Sequence, residues 1–176
     1  MILLLAVVLG FLIGFSWAHL LGRSYTPPAL GNFWLAFVAF LLQYLLLNLP
    51  VFAEIFSDLW IGILLTVSQV LLLGFAWLNR RIPGMPLLLI GAALNFTVMA
   101  ANGGFMPISP QTASRLVSEN VLMDIPIGSR FGHKDILLEP ENTHFEWFSD
   151  RFLPPENFGY QVAFSLGDVF LAIGVF

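Results

Sequence analysis

The 176-residue sequence predicts an all-α, polytopic transmembrane bundle of five helices, with an outer loop that carries a short helix and a β-hairpin. Three observations lead there. Apolar residues make up 58% of the chain and charged residues only 10%, against about 45–50% and about 25% in a soluble domain. A chain of this length cannot hide so much apolar surface from water, and lipid removes the conflict. Five apolar runs approach the ~20 residues that cross about 30 Å of hydrocarbon. Arginines fall in alternate connections between those runs.

The first run, Met1–Leu21, has no charge before Arg23. It lacks a basic start and a small-residue cleavage site, so it reads as a retained helix rather than a signal peptide. Phe33–Phe52 follows the Pro27-Pro28 break, and Leu59–Leu78 follows a Ser57-Asp58 cap signal. The fourth run, Pro83–Ala101, opens with Pro83 and Pro86, which suit a first helical turn because no intrahelical N–H bond is lost there. The fifth lies within Phe158–Phe176. This divides the chain into a four-span bundle (1–101), an outer loop (102–157) and a fifth helix (158–176). Arg23, Arg80 and Arg81 place the first and third connections in the cytoplasm, whereas the connection carrying Glu54 and Asp58 has no base. The expected location is a bacterial inner membrane, N-terminus outside and C-terminus cytoplasmic.

Residues 102–161 hold eight acids and four bases. Within them, Ser109-Pro110 predicts a capped helix running to about Glu119. Asp135–Glu139 and Thr143–Phe148 are expected to pair as a hairpin around Pro140-Glu141-Asn142. That would set Phe145, Trp147, Phe148, Phe152 and Phe158 near the membrane interface, which aromatic side chains favour.

Several function classes drop out. The net charge of −4 leaves no basic footprint for nucleic acid. The absence of Cys excludes disulfides, thiolate metal sites and a Cys nucleophile. No phosphate-binding loop, dinucleotide fingerprint or nucleophile-elbow motif is present. In the expected hairpin, His133 lies about 16 Å along from His144, at about 3.3 Å per residue. His133, Asp135, His144 and Glu146 then cannot share a metal whose ligands must lie within about 2.3 Å.

The remaining polar and small residues are the candidates. Gly10, Gly14 and Ala18 form a small-residue stripe suited to close helix packing, within the bundle or against another subunit. His19, near the end of the first helix, is either interfacial or a ligand for haem or a pigment. Gln43, Asn48, Gln69 and Asn95 are expected to hydrogen-bond between helices. Asn102-Gly103-Gly104, followed by Pro107, reads as a helix stop or as a turn at the mouth of a cavity. Ser165-Leu166-Gly167-Asp168 has the spacing of a capping box. Either Ser165 caps the fifth helix, or that helix starts near Phe158 and Asp168 is an intramembrane carboxylate, a costly placement with a functional reading.

Taken with Trp77-Leu78-Asn79-Arg80-Arg81, Asn95, Ala101–Pro107, Lys134-Asp135-Ile136-Leu137-Leu138 and Ser165–Val169, the sequence resembles a bacterial membrane-protein family, domain of unknown function 5317. The resemblance implies five membrane helices and a chain continuing past Phe176. It carries no activity and no catalytic residue. The leading expectation is a non-enzymatic accessory or scaffold subunit of a larger membrane complex, in contact with lipids and other subunits and associated with a pigment or quinone. The alternatives are a small transporter or lipid-handling protein with a polar site at Asn95, Asn102 and Asp168, and an intramembrane enzyme using Asp168.

Overall fold

A computed structural model of the chain describes residues 2–24, 28–155, 157 and 161–175; of residues 2–6, 50 and 53 it gives the backbone alone. Pro27 and Phe158, which figure in the expected boundaries, lie outside the described residues. The protein is mostly helical with one small sheet. Its elements are α1 (Ile2–Leu20), α2 (Phe33–Asn48), α3 (Pro50–Ile55), α4 (Asp58–Leu78), α5 (Met85–Ala101), β1 (Met106–Ile108), α6 (Pro110–Ala113), α7 (Glu119–Met123), β2 (Arg130–Phe131), β3 (Asp135–Leu137) and α8 (Leu166–Val175).

The expectation of five full-length spans needs correction. Among the described residues, only α4 is long and apolar enough to cross a membrane by itself. Local chemistry shortens the second, fourth and fifth runs. Leu49 is extended, as the residue before a proline prefers, so the second run breaks and Pro50 opens α3. Gly84, at φ 85°, turns the chain before α5; Pro83 is left in that turn and only Pro86 sits in the first helical turn. Ser165 fixes the start of α8, well after Phe158. Ser57 does precede α4, but its side chain makes no capping hydrogen bond.

The bundle packs α5 against α8, α4 against both α2 and α5, and α1 against α8. Its core joins Leu46, Ile61, Leu65, Val98 and Met99 to Phe105 and Met106 of the loop. A second cluster beneath the loop contains Ile108, Ala113, Phe131, Leu137 and Ala163.

The expected loop helix is split. Ser109 Oγ accepts the Thr112 N–H and caps α6, but α6 ends at Ala113 and α7 begins anew after Ser118. The predicted hairpin is replaced by a different pairing. β3 is the central strand of the order β1-β3-β2, parallel to β1 and antiparallel to β2. Both of its edges are occupied, so Thr143–Phe148 cannot pair there, and Glu146–Phe148 forms a 3-10 turn instead. Gly132, at φ 63°, makes the turn from β2 to β3. Of the expected interface aromatics, Phe145, Trp147 and Phe152 are exposed, whereas Phe148 packs against the bundle core.

Candidate functional site

The site grows out of the α5–α8 seam. Glycines recur at a spacing of seven on each side: Gly84 and Gly91 along α5 and its approach, Gly167 and Gly174 on α8. The helices run antiparallel, so Gly84 meets Gly174 and Gly91 meets Gly167. A Cβ on Gly84 would lie 2.2 Å from the Gly174 carbonyl oxygen, and one on Gly91 would lie 2.6 Å from that of Gly167. The small-residue logic read for α1 therefore applies most strongly here. On α1, Gly10, Gly14 and Ala18 form the half-buried face of a helix whose neighbour is α8.

The next step along the seam is polar. Asn95 Nδ2 donates to Asp168 Oδ1 at 3.0 Å, and Ser165 Oγ donates to Asn95 Oδ1 at 2.9 Å. The Asp168 N–H donates to Ser165 Oγ at 3.0 Å, and the Ser165 N–H donates to Asp168 Oδ2 at 3.1 Å. This is a reciprocal capping box. The geometry matches the capping reading of Asp168: it completes the cap of α8, which starts at Leu166 and not near Phe158, and its carboxylate also accepts from Asn95. Ser165 is fully buried.

A cavity of about 330 Å³ opens beside this network, between α1, α2, α4, α5 and α8. Its polarity is graded. Near the Asn79 end of α4, the wall is apolar: Ala36, Phe40, Leu72, Phe75, Leu88 and Val175. Towards the loop end apolar Leu47, Leu65, Met99 and Met106 share the wall with Asn95, Asp168, Gln43 and Lys134. Gln69 is level with Gln43, whose amide reaches Ser68. Along α5 the lining runs from Leu88 to Met99, a length of about 16 Å at 1.5 Å per residue.

Lys134 is the only lysine in the chain. It immediately precedes β3 and brings its ammonium to the cavity wall. Its Nζ contacts Asp150 Oδ2 directly and lies 3.1 Å from Asp135 Oδ1. Burial works against the ammonium, but the carboxylates of Asp150, Asp135 and Asp168 outweigh it and hold the Lys134 pKa above its ordinary value. Asp150 is only 1% exposed. Burial pushes its carboxyl up to about 7, against the pull of Lys134. The two directions agree physically: one ammonium cannot neutralise three acids. Asp150 Oδ1 is buried with no hydrogen-bond partner, and so is the donor Arg130 Nε. Lys134 was not a sequence candidate for the site. Its uniqueness, immediately before the apolar run Ile136-Leu137-Leu138, was the signal available.

The other candidates fall elsewhere. Asn102 does not line the cavity with Asn95 and Asp168, which corrects the expected trio. Its Nδ2 donates to the carbonyls of Val98 and His144, and its Oδ1 accepts the His144 N–H at 3.0 Å, stapling the loop to the end of α5. Gly104, at φ 89°, backs onto α4, where a Cβ would lie 2.1 Å from the Gly62 carbonyl oxygen; Gly103, at φ 73°, faces open space. This turn is a packed helix stop, not a cavity mouth. Gln43 bridges helices by donating to Ser68 Oγ at 2.8 Å, as expected. Asn48 instead bonds back within its own helix, to the Tyr44 carbonyl. His19 is exposed on α1 and is not part of the cavity wall. His133 Nδ1 contacts the Leu47 carbonyl at 2.8 Å, and among the described residues no group of three or more His, Asp or Glu could hold a metal ion.

Comparison with known proteins places residues 29–176 in the Family of unknown function (DUF5317), and the chain belongs to that family. An uncharacterized protein of Thermotoga maritima is 32% identical over 117 residues, covering 66% of this chain and 62% of that protein, so the likeness spans somewhat less than two thirds of the relative. No solved structure matches the chain.

Proposed function

We propose that this protein is a membrane-embedded binding protein for a small amphiphile, acting in lipid handling or small-molecule transport, and that its ligand occupies the graded cavity. The single supporting observation is the cavity itself: a largely apolar space with Asn95, Asp168 and Lys134 in its loop-side half. Apolar walls with a few placed polar groups are the usual make-up of a ligand site. A narrow molecule with an apolar body and one polar head satisfies both ends. An acid–base enzyme at Asp168 is the weaker reading, because both carboxylate oxygens already accept hydrogen bonds that hold α8 in place.

The membrane placement is part of the proposal. Support comes from α4, long and apolar enough to cross alone. Further support comes from large apolar side chains on the outward faces of its neighbours, among them Phe33, Trp34, Phe37, Ile90 and Ile173. Helices shorter than the hydrocarbon thickness are accommodated by local thinning of the bilayer. The arginines at positions 23, 80 and 81 support an orientation with the Asn79 end of the bundle at the cytoplasmic face. The loop, and the polar end of the cavity, then lie on the outer side.

Native mass spectrometry of the full chain, released gently from its membrane, tests this reading. The expected spectrum carries one apolar adduct per chain, lost when Leu72→Trp fills the cavity. An adduct-free protein, or adducts untouched by Leu72→Trp, would remove the proposal. An accessory-subunit role is the second reading, favoured by the exposed loop aromatics, with Trp147 at 73% accessibility. It predicts partner proteins at fixed stoichiometry in the same preparation.

A further inference from the structure

The head chemistry of the ligand follows from which charges at the polar end remain uncommitted, and this inference rests on the amphiphile-binding reading. Two ionisable groups line the cavity, Lys134 and Asp168. Lys134 is spent: its ammonium is held by Asp150 and Asp135. Three carboxylates, those of Asp135, Asp150 and Asp168, act on this one cation. Arg130, on the adjacent strand, lies 3.6 Å from Asp58 instead. The polar end therefore holds more negative than positive charge, and it stays so even with Asp150 protonated. The buried side-chain atoms left without a hydrogen-bond partner are one donor, Arg130 Nε, and two acid oxygens. Asp150 Oδ1, on a residue 1% exposed, is a buried acceptor without a partner, and such an orphan is costly, whereas Asp135 Oδ1 lies 3.1 Å from the Lys134 ammonium. Asp168 has accepted two hydrogen bonds, and an ionised carboxylate offers about four acceptor sites. Of the two ionisable groups on the cavity wall, Lys134 is already paired and Asp168 keeps acceptor capacity.

We propose that the cavity selects an amphiphile with a cationic, hydrogen-bond-donating amine head, which docks against Asp168 while its single apolar chain runs towards Leu88 and Val175. A carboxylate or phosphate head would meet Asp168 with like charge and find Lys134 already paired. A primary ammonium brings three donors and restores the charge balance. From Asp168 to Val175 the wall runs about 10 Å at 1.5 Å per residue, so an extended chain of roughly a dozen carbons is long enough to fill it.

The test uses a matched series in which only the head differs. The purified full chain in a neutral detergent is offered dodecylamine, dodecanol and dodecanoic acid separately at equal concentration, and retention is read by native mass spectrometry. The expected result is dodecylamine retained at least about tenfold better than dodecanoic acid, a difference of about 1.4 kcal/mol, with dodecanol between. Asp168→Asn, which keeps an acceptor for Asn95 but removes the charge, collapses the amine preference. Gln69→Leu, which alters the wall but no charge, leaves it intact. The wild-type series stands without the variants should either fail to fold. Dodecanoic acid retained as well as or better than the amine overturns the head assignment and leaves the amphiphile reading standing. Retention of none of the three by the wild-type chain overturns both.

Discussion

Gly167→Ala is the sharpest probe of the seam on which the site is built. Gly167 sits between the capping residue Ser165 and Asp168, facing α5. An added Cβ would fall 2.0 Å from Asn95 Oδ1, 2.7 Å from Asn95 Cγ and 2.8 Å from the Gly91 carbonyl oxygen. The backbone carbonyl cannot yield, so α8 must move away or Asn95 must swing and break its bonds to Ser165 and Asp168. Overpacking costs about 1–3 kcal/mol, and an interhelical hydrogen bond in a membrane protein is worth about 0.6–2 kcal/mol. Helix propensity returns about 0.5–1 kcal/mol for replacing Gly by Ala. The net expectation is a loss of about 2–3 kcal/mol. At about 2–4 °C per kcal/mol for a chain of this size, Tm falls by about 4–12 °C. Gly74→Ala is the matched control: it lies inside α4, and a Cβ there meets nothing within 4 Å. It should hold or raise stability by about 0.5–1 kcal/mol. Thermal unfolding of both variants in the same detergent decides the matter. A Gly167→Ala protein as stable as Gly74→Ala would refute the close-packed seam.

Three further outcomes are expected. Asn79 is buried and clasps Gly31, accepting its N–H and donating to its carbonyl, each at 2.8 Å. Asn79→Ala should cost about 1–3 kcal/mol and speed hydrogen exchange in residues 28–32. Asn102→Ala frees the His144 backbone from α5, so exchange protection at residues 143–148 should drop while that of α4 is kept. The third outcome concerns pH. Because the folded pKa of Asp150 is raised to about 7 from an ordinary 3.8, its contribution to stability is full below the unfolded value and is lost as pH rises towards 7. Denaturation followed from pH 4 to 7 should show stability declining in the wild type and a flatter profile in Asp150→Asn. Equal slopes would count against a buried, charge-strained Asp150. The Lys134 contribution, with its pKa raised above 10.5, persists through that whole window.

Much of the helical frame was legible because it depends on local chemistry. Apolar runs gave α1, α2, α4 and α5, and the Ser165-to-Asp168 spacing gave the cap of α8. Span lengths were overread because hydropathy does not register the effect of Pro50 on Leu49 or the turn at Gly84. The loop pairing was missed for a different reason. Sequence-adjacent segments suggest hairpins, but β3 takes a partner from the far end of α5, twenty-nine positions away in the register Met106 to Asp135. Asn95 and Asp168 could each be picked out as polar residues in apolar runs, yet nothing local joins positions separated by 73 residues. The signal in the sequence that marks this seam is the seven-residue spacing of Gly84 and Gly91 and of Gly167 and Gly174. Lys134 reaches the cavity only because the sheet carries it there.

The claim that a molecule lies inside the bundle is tested most directly by photo-crosslinking. An aliphatic amine bearing a diazirine midway along its chain would be equilibrated with the full-length protein, irradiated, and mapped by peptide mass spectrometry. On α4, Leu65 and Leu72 line the cavity, whereas Val67 and Val70 face outward at 45% and 50% accessibility. The account predicts label on Leu72 and Leu171, competed by unlabelled dodecylamine and abolished by filling the cavity from Ala92 with Ala92→Phe. Label confined to Val67, Val70 and other outward residues, and indifferent to competitor, would mean that the probe only coats the surface, and the binding-protein reading would be wrong.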